Sequence, residues 1–176
     1  GSSTTYHYFM NHPYSAGSTA FVIGEYSDVR QYAGNIQLHN YTYTDEVAAT
    51  TASVERLPDM VDYFSKTTGV PYPYETYSQV FVLDVPWGMA ATSMAIQTEN
   101  MVDDFGTHAD FLYLWDGLEG ESLAQQWFGN YVSCNDPNHI WLNKGFARYF
   151  SGLYNANKNG KDEFLLWQHA YDQSTY

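Results

Sequence analysis

The sequence predicts an α+β fold, with a small mixed sheet packed on a mainly helical half. Three observations carry that reading. Short segments of strand formers cluster in the first hundred residues, at 35–44, 79–84 and 93–98. Apolar residues at helical spacing dominate the rest, from Leu114 through Tyr154 and again at 162–172. The 176 residues suffice for one domain with a sizeable core.

Taken in order, residues 19–24 (Thr19-Ala20-Phe21-Val22-Ile23-Gly24) follow the turn-like Ser15-Ala16-Gly17 and read as a strand. Residues 35–44 alternate, with Ile36, Leu38, Asn40 and Thr42 on one side, and read as an edge strand. Thr44-Asp45-Glu46 offers a helix start. Val47, Val54, Leu57, Val61 and Phe64 form its stripe, which Pro58 should kink or split. Gly69 ends that run, and Pro71 and Pro73 prevent its resumption. Two strands follow at 79–84 and 93–98. Residues 106–116 lead into a first core helix whose stripe is Leu114, Leu118, Phe128 and Val132. A second core helix, about 140–154, places Lys144 on a stripe with Ile140, Ala147 and Tyr154. A last amphipathic helix runs through Phe164, Leu165 and His169.

Twenty acidic against seven basic residues give a net charge of −13, which repels nucleic acid and anionic lipid and excludes both as expected partners. No run of eighteen apolar residues is present. The lone Cys134 rules out an internal disulfide.

The first core stripe is broken at its centre by Glu121 and Gln125, one turn apart on one face. An acid and an amide there must find partners or cost folding energy. Around them stand Gln126-Trp127-Phe128-Gly129-Asn130, then Trp141-Leu142-Asn143 and Gly145-Phe146-Ala147. These runs resemble the zinc-binding core of the aminopeptidase-N-type metallopeptidases, a gluzincin family. Its members carry H-E-x-x-H followed at once by Q-W-F-G-N, then W-L-N-E-G-F-A. The resemblance implies a thermolysin-like fold, with residues 1–30 ending an N-terminal β-domain or linker strand. Residues 31–176 would then form a peptidase domain truncated before its C-terminal part. In that register Glu121 and Gln125 replace the two zinc histidines, Ser122 the general-base Glu, and Lys144 the Glu ligand. All four chemical positions are lost together, so the expectation is no metal, no cofactor and no catalytic residue.

A zinc of this kind needs three N or O ligands and an open position for water. Gln125 is a poor ligand, and the Lys144 ammonium repels a cation. Either that ammonium stands near the metal's place and pairs with Glu121, or both side chains turned outward once the metal was lost. The resemblance also places Met94, Ala95, Ile96 and Gln97 on the strand that lines the peptide groove, with Ala95 at the position of the Glu that holds a substrate's amino group. Gly88-Met89-Ala90 is a competing register for the same motif. A Ser122–Lys144 hydrolytic dyad requires a neutral lysine, which Glu121 opposes. Asp103, Asp104 and His108, or Asp136 and His139, lack a spacing that fixes ligands on one face.

The functional expectation is thus a peptidase-like domain without activity, binding peptides or supporting other domains of the same polypeptide. The alternative is an active metallo-aminopeptidase or other hydrolase using a non-standard site. The resemblance points to a secreted or periplasmic setting.

Overall fold

The computed structural model describes residues 3–86, 88–102 and 105–173, with 105–113, 167 and 170–173 described by backbone alone. Strands β1 (Ser27–Ala33) and β2 (Ile36–Thr42) form a hairpin. Its two-residue turn begins at Gly34, whose φ of +58° is open to glycine without strain. Helices α1 (Val47–Ser53) and α2 (Leu57–Thr68) follow. Next come β3 (Thr76–Val82), β4 (Met89–Ala91) and β5 (Met94–Thr98). The chain ends in α3 (Phe105–Ala124), α4 (Trp141–Asn159) and α5 (Lys161–Gln173).

The five strands make one mixed sheet in the order β1-β2-β3-β5-β4. The pairs β2–β3 and β3–β5 are parallel and the outer pairs antiparallel. The expected small mixed sheet is present, but β2 is not an edge. It lies between β1 and β3, because β3 returns beside it from beyond α2. The alternation that looked like a half-solvated strand is instead a helix-facing row of Leu38, Asn40 and Thr42, all buried. Residues 19–24 form no strand. This stretch adjoins Ser18, whose carbonyl accepts a 2.9 Å hydrogen bond from Thr92 N–H in the β4–β5 turn.

Pro58 does split the first helical stripe. It sits in the first turn of α2, where a missing N–H leaves no helical bond unmade. Gly69 closes α2 in the left-handed region with φ +71°. Leu57, Met60, Val61 and Phe64 face the core, meeting Trp127 and Tyr154. Each such side chain contributes about 1.5–3 kcal/mol on burial. Edge-on ring contacts join Phe64, Tyr72, Trp127 and Tyr154.

The first core helix is shorter than its apolar stripe implies. It stops at Ala124, and Asn130, Tyr131 and Val132 donate to carbonyls five residues back, each at 3.0 Å. Gly129 takes φ +136° in this turn, a conformation that side chains oppose. Val132 is therefore 63% exposed and not on the core stripe. Between α3 and α4, a Cβ on Gly120 would lie 2.8 Å from Ser151 Oγ. The Ser151 hydroxyl donates to Gly117 O at 2.8 Å, so the two backbones approach where side chains are smallest.

Candidate functional site

The four positions that the zinc register singles out do not converge. Glu121 lies near the end of α3, buried, with its carboxylate accepting from Arg148 Nε at 3.2 Å. Lys144 is exposed in the first turn of α4. The expected Glu121–Lys144 pair is thus corrected to Glu121–Arg148. Lys144 and Arg148 are one helical turn apart on one face, and it is the second that reaches the α3 acid. Gln125 Nε2 donates locally to Glu121 O at 3.4 Å. Ser122 is buried and its hydroxyl faces Gln97 Oε1 at 3.5 Å. Ser122 and Lys144 therefore form no dyad, since one is sealed against β5 while the other stands in solvent.

These residues do not fit a catalytic zinc. Glu121 is engaged by a guanidinium, whose charge opposes a divalent ion. Gln125 spends its donor on backbone, and no imidazole stands at either ligand position. Among the described residues no group of three His, Cys, Asp or Glu side chains gathers to hold a metal. Asp136 accepts from Asn138, and both Asp136 and His139 are exposed. The side chains of Asp103, Asp104 and His108 lie outside the described residues.

Met94, Ala95, Ile96 and Gln97 form β5, which is hydrogen-bonded to β3 on one side and β4 on the other. Its backbone offers no free edge to a peptide. The edge strand is β4, Met89–Ala91, with Met89 half exposed. Ala95 and Gln97 point inward and are fully buried. Gly88 lies close against Gln97 and Ser122: a Cβ there would clash with Gln97 Oε1 and stand 2.9 Å from Ser122 Oγ. The space in front of Ser122 is filled by this chain's own side chains.

A buried polar chain that the sequence reading missed runs beneath the site. Gln31 Nε2 donates to Val54 O at 2.9 Å, and Asn40 Nδ2 to Gln31 Oε1 at 3.2 Å. Gln79 Nε2 donates to Asn40 Oδ1 at 3.1 Å and to Glu119 Oε1 at 2.6 Å. Gln97 Nε2 donates to Gln79 Oε1 at 2.9 Å. The available signal was positional: Asn40, Gln79 and Gln97 stand where strand alternation turns inward, beside Leu38, Tyr77 and Ala95.

The motif's other residues hold the frame. Gln126, fully buried, accepts from Ser93 N–H at 2.8 Å and donates to Ala91 O at 3.0 Å. It thereby clamps a turn in which Ser93 is strained at φ +58°. Trp127 Nε1 donates to Val70 O, and Asn130 Nδ2 to Ala91 O. Asn143 joins the start of α4 to the loop by accepting from Cys134 N–H and donating to Ser133 Oγ.

The chain is 25% identical over 167 residues to the transcription initiation factor TFIID subunit 2 of Drosophila melanogaster, covering 93% of this chain and 13% of that protein. It is 29% identical over 118 residues to aminopeptidase M1 of Arabidopsis thaliana, covering 65% of the chain and 13% of that enzyme. It is 26% identical over 138 residues to endoplasmic reticulum aminopeptidase 2 of Bos taurus, covering 74% and 14%. The chain spans no more than a fifth of the length of these relatives. Residues 52–175, well over half of the chain, match the Peptidase family M1 domain, and the chain belongs to that family.

Proposed function

We propose that this chain is a metal-free, catalytically silent M1 domain with a thermolysin-like arrangement, whose work is to hold a larger protein assembly together. The observation that carries the reading is that Glu121, at the first of the three zinc-ligand positions, is paired with Arg148, with Gln125 and Lys144 at the other two. Gln126, Trp127, Asn130 and Asn143 keep their structural hydrogen bonds, so the frame is maintained without its chemistry. Likeness to proteins named as a subunit of a transcription initiation factor supports protein partners, whether separate subunits or other domains of one polypeptide. The filled space around Ser122, Gln97 and Gly88 favours this structural role over enclosure of a peptide. Peptide capture along the exposed β4 edge is a second reading, supported by the single pairing of that strand. The net charge of −13 argues against nucleic acid or anionic membrane as the partner.

The test is hydrolysis of aminoacyl fluorogenic substrates after incubation with zinc, beside the quadruple variant Glu121→His, Ser122→Glu, Gln125→His, Lys144→Glu. The parent should release no fluorophore above buffer. Release by the parent that a chelator abolishes overturns the proposal.

A further inference from the structure

Glu119 is 2% exposed, one turn before Ser122 on α3 and turned to the sheet. Its carboxyl accepts from Gln79 Nε2 at 2.6 Å. Among the described residues no Lys, Arg or His nitrogen lies within 4.0 Å of it. A sealed carboxylate without a counter-ion is far costlier than its neutral acid.

We propose that Glu119 carries a proton at neutral pH and acts as a proton-dependent latch between α3 and the sheet. When neutral, it closes the chain of amides that runs from Gln31 through Asn40 and Gln79 to Gln97 and Ser122. When ionised, it adds a second buried negative charge on the face that carries Asp116, and α3 loosens its hold on β3 and β5. Among the described residues, the groups around it leave no other charge compensation. On its own helix Asp116 lies one turn earlier, paired with Arg56 Nη1 at 2.6 Å. From β3 comes Tyr77, whose buried hydroxyl has no hydrogen-bond partner among the described residues and is pushed well up, first by burial and then by Glu119. From β2 and β5 come the neutral amides of Asn40 and Gln97, and α1 carries no titratable side chain. Tyr154 of α4 feels Asp116.

Burial pushes the Glu119 carboxyl up to about 8; the Gln79 hydrogen bond opposes that rise and Asp116 adds to it. The folded state then holds a proton that the unfolded chain releases near the ordinary 4.5. Stability from this group is complete below about 4.5, declines as pH rises and levels off above about 8. Across that window the folding constant should fall by up to about three-thousandfold.

The experiment is urea unfolding of the whole chain between pH 5.5 and 9, parent against Glu119→Gln, which keeps a neutral acceptor for Gln79. Repulsion from the overall negative charge is shared by both and cancels. The expected result is a folding constant that falls at least tenfold more in the parent than in the variant. Parallel profiles overturn the proposal. Should Glu119→Gln fail to fold, infrared spectra of the parent labelled with carbon-13 glutamate decide. A protonated carboxyl band present at pH 6 and lost by pH 9.5, with faster amide exchange in α3, supports the latch. No such band at pH 6 refutes it.

Discussion

Replacing Arg148 with alanine leaves Glu121 without its cation at the junction of α3 and α4. The side chains are 41% and 11% exposed, so the pair is neither a surface contact nor a sealed one. At the observed 3.2 Å, the Coulomb attraction is about 5 kcal/mol at an effective dielectric of 20 and about 1.3 kcal/mol in bulk water. Breaking a fully buried pair costs about 3–5 kcal/mol, whereas exposed pairs contribute about 0–1 kcal/mol. The exposure of Arg148 places the expected loss near the middle, about 2 kcal/mol, or roughly 4–8 °C in melting temperature for a chain of this size. Lys144→Ala, in solvent, should stay within about 0.5 kcal/mol of the parent. The apolar pair Glu121→Leu with Arg148→Met should recover most of the loss, because it removes both charges together. Urea unfolding at fixed pH, arranged as a double-mutant cycle, reads all of these. A loss on Lys144→Ala equal to that on Arg148→Ala would return the cross-link to the lysine. Coupling near zero between positions 121 and 148 would remove it altogether.

Other expectations follow from single contacts. Gln126→Leu leaves Ser93 N–H without its side-chain acceptor, removes one of the two side-chain donors to Ala91 O and unclamps the β4–β5 turn, so it should cost about 1–3 kcal/mol in urea unfolding. A cost under about 0.5 kcal/mol would show that water replaces the amide. Gly88→Ala forces a Cβ into Gln97 and Ser122 and should lower stability by about 1–3 kcal/mol. Pairing it with Ser122→Ala should recover part of that loss, and no recovery would place the strain elsewhere. The pH dependence carried by Glu119 is the fourth expectation, with its own control.

The sequence disclosed the frame better than the contacts. The runs from Gln126 to Asn130 and from Trp141 to Ala147 set the register at once, and Pro58 and Gly69 bounded α2 by local backbone chemistry. What stayed hidden depended on distance through space. Lys144 and Arg148 share a helix face, so only the packing of α4 on α3 selects the partner of Glu121. The β2 row looked like an edge because its parallel neighbour β3 arrives only after two helices. Val132 continued an apolar stripe on paper, but Gly129 had already turned the chain. Residues 19–24 have strand formers but join no ladder, since propensity alone does not make one. Glu119 carries no signal of its own in the sequence, because a lone acid is usually solvated, and only its inward neighbours Gln79 and Gln97 reveal its burial.

Metal stoichiometry after zinc loading and exhaustive dialysis tests the central claim most directly, by mass spectrometry on the parent and on the quadruple variant that restores both histidines and both glutamates. The parent should hold far less than one zinc per chain, and the variant should retain about one. A parent that keeps a full equivalent of zinc, and loses it when Glu121 is replaced, would contradict the account.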